Sequence, residues 1–306
     1  MRRVFFNDDM ESTPFQEGAR RNSIKLPDVE FVDSPEGADT ICARNLVRLV
    51  PYLHSGQSLY IWTHEPSWCG VDTKSIQDAA TGKTIHISSA FNGDIYISPL
   101  YYFPFAKISR EALFSTLGNR GRFCVMMATY GLKPNRFVGG VHVDITSYRQ
   151  GMAIYLNQTY GACDIFGRNW PKSVTVMEES RGVGWEARKM AALSDYRFNI
   201  ACENTVTKNY VTEKIWQAIE SGAVPIYLGR GTGIEEVLSA TSYVDPGQFS
   251  NFGALHDHIS GMSLTDRTAI VDSALTDYEQ IAKTLVCGEV KAMIVERFAR
   301  RVHEIC

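Results

Sequence analysis

No stretch of this chain carries 18 consecutive apolar residues, so no segment reads as a membrane-spanning helix. No Cys-x-x-Cys occurs either. The cysteines Cys42, Cys69, Cys124, Cys163, Cys202, Cys287 and Cys306 are odd in number and scattered, which argues against a disulfide framework and against a clustered zinc site. Several sit in apolar runs, such as Phe123-Cys124-Val125 and Ala201-Cys202, and read as small buried hydrophobes in a reducing compartment. The amino-terminal run Arg2-Arg3-Val4-Phe5-Phe6 turns acidic at Asp8-Asp9, without a signal-peptide core. A cytoplasmic location is the simplest expectation. No charge of one sign dominates: 31 Lys and Arg face 34 Asp and Glu, a net charge of −3. That excludes a global basic field for nucleic acid or an anionic membrane, so any anion site must be local. Internal repeats and low-complexity tracts are also missing.

What is present suits a soluble α/β protein. The 306 residues, 44% hydrophobic and 21% charged, fit two domains of about 150 residues each. The first third alternates short extended runs with turns. Residues 2–6, 29–33, 39–43, 58–64, 84–88 and 94–98 read as strands, and 45–53 as a helix interrupted by Pro51. Residues 99–108, rich in proline and aromatics, read as irregular. From Ser109 a regular alternation sets in. Strands are expected at 122–129, 163–167, 197–202 and 223–228, helices at 146–159, 186–196 and 212–221, and a mainly helical last 55 residues. Apolar strands alternating with helices imply parallel sheets covered on both faces. The expected division is 1–108 and 109–306.

Residues 198–231 hold an unusual concentration of polar groups between two apolar runs: Glu203, Asn204, Lys208, Tyr210, Glu213 and Lys214. Thr212 is placed to cap a helix whose apolar positions Ile215, Ala218 and Ile219 recur at helical spacing, with Gly222 as its stop. In a parallel sheet the loop after a strand lies at the carboxyl edge, where ligands bind. A helix amino terminus offers free N–H groups and positive potential to phosphate. Lys214 in that first turn opposes the helix dipole and makes sense beside an anion.

Cys202-Glu203-Asn204, Tyr210-Val211-Thr212-Glu213-Lys214 and Val224-Pro225-Ile226-Tyr227-Leu228-Gly229 resemble, in order and spacing, the signature of the α-(1,3)/α-(1,4)-fucosyltransferases, glycosyltransferase family 10. Tyr148-Arg149 and Asp164-Ile165-Phe166-Gly167-Arg168 resemble the family's arginine-bearing helix and following strand. The resemblance covers residues 122–250 well and the first third loosely. It implies a GT-B type α/β fold with two Rossmann-like lobes facing a cleft and carboxyl-terminal helices. Residues 1–108 would bind the acceptor and 109–306 GDP-fucose. Lys214 and Arg149 would face the diphosphate, Glu213 the ribose hydroxyls, and Asn204 and Tyr210 would line the phosphate and sugar pocket. The implied reaction is an inverting transfer of L-fucose from GDP-fucose to a glycan hydroxyl, forming an α-(1,3) or α-(1,4) linkage to GlcNAc or Glc. No obligatory cofactor or metal is implied, although a divalent ion would help GDP depart. The implied partners are GDP-fucose and an oligosaccharide or glycoconjugate acceptor, and the location is cytoplasmic, at most peripheral to a membrane where glycoconjugates are assembled.

Inverting transfer needs a base. Glu65 follows the extended run 58–64 and precedes Pro66, which forces a turn. The resemblance puts the family's base there, although His64 and Pro66 replace the family's flanking Gly and Asn. His64 is the rival base, since its reference pKa lies nearer neutrality. Trp62, Trp68 and Tyr101 are candidates for stacking on acceptor sugars. Four alternatives fit less well. Gly229-Arg230-Gly231-Thr232-Gly233-Ile234 fails the dinucleotide fingerprint at its sixth position. His256-x-His258 points two ligands apart on a helix. A non-catalytic sugar-nucleotide module would keep the cations but lack a usable base, and a GT-B transferase of another nucleotide sugar would differ in the donor.

Overall fold

The structure is a computed structural model that describes residues 1–7, 28–66, 73–104, 106–131, 137–138, 141–178, 184–284 and 289–306. The chain forms two compact units, one of Met1–Tyr101, Arg136–His142 and Gly288–Cys306, the other of Tyr102–Asn135 and Val143–Cys287.

The first unit is built on β1 (Arg2–Phe6), β2 (Val29–Phe31), β3 (Thr40–Ala43), β4 (Ser58–Trp62), β5 (Ser75–Gln77) and β6 (Thr84–Ser88), in the order β2-β1-β3-β4-β6-β5. All pairs are parallel except the edge strand β5, which runs antiparallel to β6. One face of the sheet packs Ile41, Ala43, Leu59, Ile61, Ile85 and Ile87 against Leu49. Leu49 closes the short helix α1 (Leu46–Leu49), whose first turn is capped by Asn45 Oδ1 accepting from Arg48 N–H at 3.1 Å. Pro51 then turns the chain into a 3-10 segment, Val50–Tyr52. The strand expected at 94–98 is a run of turns instead. Asn92 accepts from the N–H groups of Ser89 and Asp94 and donates to Ile87 O. The adjacent Ile95 and Tyr96 are both buried there without joining a ladder, and β5 occupies the edge beside β6.

The second unit begins with α2 (Arg110–Leu117), whose N-cap Ser109 accepts from Ala112 N–H, and β7 (Arg122–Met127). The hairpin β8 (Phe137–Val138) and β9 (Val141–His142) belongs to the first unit. Then follow α3 (Thr146–Tyr160), β10 (Cys163–Phe166), α4 (Trp185–Leu193), β11 (Tyr196–Ile200), α5 (Glu213–Ser221), β12 (Val224–Ile226), α6 (Phe252–Gly261) and α7 (Leu264–Thr284). The four strands are all parallel in the order β10-β7-β11-β12. Trp216 of α5 packs edge-on against Phe103, which also meets Tyr278 of α7.

The last helix, α8 (Glu289–Ile305), corrects the expected division at 109. It belongs to the first unit. Its buried stripe, Val290, Ile294, Val295, Phe298, Ala299 and Val302, includes the ring of Phe298 on Tyr60, with centroids 5.6 Å apart. Ser58 Oγ donates to Ile305 O at 2.8 Å, and Arg297 Nη1 to Gly93 O at 2.8 Å. An apolar stripe declares that a helix needs a partner but not which of two sheets supplies it.

Candidate functional site

The chain between β11 and α5 crosses the carboxyl edge of the second sheet. Its end is set by α5. Thr212 occupies the N-cap in an extended conformation, and Gly222 ends the helix at φ 71°. A Cβ on Gly222 would lie 2.7 Å from Leu113 Cδ2, so both the backbone and the space require glycine. The cap itself is made by a remote side chain. Glu203, fully buried, accepts from Thr212 N–H at 2.7 Å and from Thr212 Oγ1 at 2.9 and 2.8 Å. It also accepts from Lys214 Nζ at 3.0 Å. One buried carboxylate thus satisfies an orphan helix N–H and holds a lysine that the helix dipole would otherwise disfavour.

Arg149 arrives from the first turn of α3. That turn is stitched to the same loop by Ile145 N–H donating to Asn204 O at 3.0 Å and by Val206 N–H donating to Val143 O at 2.8 Å. The guanidinium is buried and donates from Nη1 to Cys202 O at 2.9 Å. Its Nε has no hydrogen-bond partner among the described residues. Arg149, Lys189 and Lys214 line one narrow crevice with Met126, Met127 and Asn199, at the ends of β7 and β11. Lys189 Nζ stands 3.9 Å from Glu213 Oε1, and Lys214 Nζ 3.5 Å from the same oxygen.

The charges shape one another. Burial disfavours the charged form of Lys214, but Glu203 and then Glu213 outweigh it and raise its pKa, with Arg149 opposing. Burial alone would push the Glu213 carboxyl up. Lys214 and Lys189 overcome it and hold the pKa at about 2. Burial lowers the pKa of both Arg149 and Lys189, with acids of the crevice working the other way. A closed set of cations prearranged in this way stabilises negative charge at little reorganisation cost.

Arg149, Glu213, Lys214 and Tyr210 therefore come together, Tyr210 close enough to act on the charge of Arg149. Asn204 joins them with its carbonyl stitched to α3 and its Oδ1 buried without a partner among the described residues. Lys208 does not join; it is exposed. Sequence reasoning assigned no role to Glu203, although it stands inside the signature, and it passed over Lys189. Lys189 gave little signal: it is one of three charged residues on α4, with Glu186 and Arg188, and only the packing of α4 turns it inward.

In the first unit Glu65 is exposed just beyond the carboxyl end of β4, its N–H donating to Thr63 Oγ1 at 3.3 Å. His64 beside it is buried. Its carbonyl accepts from Tyr96 OH at 3.1 Å, and its Nδ1 has no partner among the described residues. Burial lowers its pKa, Glu65 raising and Arg44 lowering it in turn. Trp62 and Tyr101 are core side chains, at 1% and 5% exposure, packed edge-on to His64 and Tyr96 respectively. Neither ring offers a face for a sugar, which corrects their expected stacking role. Trp68 lies outside the described residues. No group of three or more His, Cys, Asp or Glu among the described residues is arranged to hold a metal ion, and no described helix is long and apolar enough to cross a membrane.

Residues 141–269 match the family profile described as glycosyltransferase family 10 (fucosyltransferase) C-term. An α-(1,4)-fucosyltransferase of Arabidopsis thaliana is 33% identical over 84 residues, 28% of this chain and 21% of that protein. A GDP-fucose protein O-fucosyltransferase 3 of Xenopus tropicalis is 30% identical over 128 residues, 40% of this chain and 26% of that protein. The matched segments thus span about a fifth to a quarter of these relatives. The crystal structure of a DNA-modifying β-glucosyltransferase is similar over 98% of this chain and 99% of its own, with a TM-score of 0.55 at 9% identity. That likeness speaks to the fold alone, which is of the GT-B type. Residues 141–269, the segment that carries the cationic crevice, are thus similar to the carboxyl-terminal domain of glycosyltransferase family 10, the fucosyltransferases.

Proposed function

We propose that the protein transfers L-fucose from GDP-fucose to an acceptor hydroxyl with inversion at the anomeric carbon. The observation that carries this reading is the crevice of Arg149, Lys189 and Lys214 at the carboxyl edge of the second sheet, inside the matched domain. In it, Arg149 and Lys214 neutralise the diphosphate as the glycosidic bond to it breaks, Arg149 through its guanidinium fork and Lys214 as a point charge. Glu213 holds the ribose hydroxyls, and Asn204 and Tyr210 line the phosphate and sugar pocket. Glu65 takes the acceptor proton. Its exposure at the end of β4 suits contact with a substrate, whereas His64, the rival, is buried. With fixed cations at the leaving group, a divalent ion would aid GDP departure without being required.

The acceptor in this reading is a glycan, joined through an α-(1,3) or α-(1,4) linkage to GlcNAc or Glc, in the cytoplasm or at a membrane periphery. The likeness to a protein O-fucosyltransferase over a longer segment than to the plant enzyme supports a second reading, in which the hydroxyl belongs to a polypeptide. Purified protein incubated with GDP-fucose, GDP-mannose or UDP-galactose, each with glycan and peptide acceptor arrays, tests both. Turnover confined to GDP-fucose is expected. Preferred use of another donor would overturn the donor assignment, and GDP-fucose binding without transfer or hydrolysis would leave a binding module.

A further inference from the structure

Lys189 is a lysine in an unusual position. It stands on α4, a helix of the second unit outside the signature loop, and its side chain is 13% exposed. It makes no hydrogen bond to any described residue. Its one ion pair among them, with Glu213 Oε1 at 3.9 Å, is beyond hydrogen-bond reach. An ammonium stripped of most of its water and given no close acceptor is costly to keep. Its head lines the same crevice as Arg149 and Lys214.

The balance of charge shows what it contributes. Without Lys189, the crevice sets the cations Arg149 and Lys214 against the carboxylates Glu203 and Glu213, and Glu203 is tied to Lys214 at 3.0 Å. Such a set is neutral and offers a diphosphate no net attraction. Lys189 makes it three against two within the crevice, with Glu186 acting on Lys189 from the exposed side of α4. On the reading of the crevice as the donor site, we infer that Lys189 is a third diphosphate-binding cation, donating directly to a phosphate oxygen of the bound nucleotide and supplying the net positive charge of the site. The pair with Glu213 holds the ammonium in place while the site is empty, and the incoming phosphate provides the acceptor that the protein does not.

Calorimetric titration of wild type and Lys189→Met with GDP, GMP and guanosine tests this. Methionine keeps most of the length and the apolar stem of lysine and removes the ammonium, with its charge and its donors. GDP affinity is expected to fall about 10–100-fold, the worth of one charge-assisted hydrogen bond. GMP affinity should fall less, and guanosine affinity should not change. Lys189→Arg should retain most of the GDP affinity, and a melting curve establishes that each variant is folded. If Lys189→Met does not fold, Lys189→Gln carries the same comparison. An equal loss for GDP and guanosine would assign Lys189 to holding Glu213 or the fold, and overturn the inference. Unchanged GDP affinity would overturn it too. Arg149→Ala in parallel separates the two levels: if it weakens GDP binding and Lys189→Met does not, Lys189 alone is misassigned. If neither weakens it, the donor reading of the whole crevice falls.

Discussion

Glu203 and Lys214 cannot be read one at a time. Lys214→Ala removes a cation from the proposed diphosphate site, and it also strands a fully buried carboxylate that now has only Thr212 to hold it. Its activity loss must therefore be measured beside its melting temperature. Arg149→Ala is the cleaner test, because its guanidinium donates to the backbone carbonyl of Cys202 rather than to a buried carboxylate. It is expected to cost roughly 2–4 kcal/mol of transition-state stabilisation, as lost electrostatic donors do elsewhere, and to weaken GDP binding. Wild-type kcat/KM and GDP affinity in this variant would contradict the anion-site reading. At the base, Glu65→Gln keeps the shape and loses the proton acceptor, so transfer should drop about 10²–10⁴-fold with GDP affinity unchanged. If turnover survives there and collapses in His64→Ala, the role belongs to His64.

Element by element, the start of α5 depends on a carboxylate nine residues upstream of its N-cap. A sequence-based reading finds the cap position, because Thr212 precedes an amphipathic run, but credits Thr212 with the capping. The threonine side chain makes no cap bond of its own. Glu203→Gln retains an acceptor for Thr212 N–H and loses the charge, whereas Glu203→Ala loses both. The alanine variant is expected to lower stability by about 1.5–3 kcal/mol, the range for hydrogen bonds to a charged group, and the glutamine variant by less. Urea titration of the two variants measures this. Equal midpoints for Glu203→Ala and wild type would show that Thr212 caps the helix unaided. Helix α8 makes a second case. Phe298, 2% exposed on Tyr60, should cost about 3–5 kcal/mol on truncation to alanine. GDP binding, which the proposed donor site puts in the other unit, should survive conditions that melt the first. Loss of both in one transition would show that the units unfold together.

Across the whole molecule, acid is expected to destabilise the fold from an identifiable point. Burial lowers the folded-state pKa of His64 and of His86 below the ordinary 6.5. The unfolded chain therefore binds protons that the native chain refuses as pH falls through 6.5, and stability declines from there downward. Glu213 acts in a lower window. Its pKa is depressed to about 2 from 4.5, so its contribution is present above 4.5 and is lost as pH falls toward 2. Urea midpoints at pH 7.5 and 5.5 should differ, and His64→Asn should narrow the gap. A gap of the same size in that variant would place the titration elsewhere.

Local chemistry was legible in the residues themselves. Spacing located most strands of both sheets, the ends of α5 and the polar loop that carries Arg149's partners, because strand, cap and glycine signals act over a few neighbours. The run 94–98 misled for the same reason: apolar residues record only that side chains are buried, and a loop buries the neighbours Ile95 and Tyr96 without a ladder. Three things needed the tertiary structure. Which sheet α8 covers is a choice between two apolar faces. Whether Trp62 and Tyr101 face a ligand or the core depends on what packs over them. Lys189 joins Arg149 and Lys214 only because α4 turns it toward the ends of β7 and β11. Charges and burial act through space, so a cation far from the signature in the chain can share its field, and no pattern along the sequence records that distance.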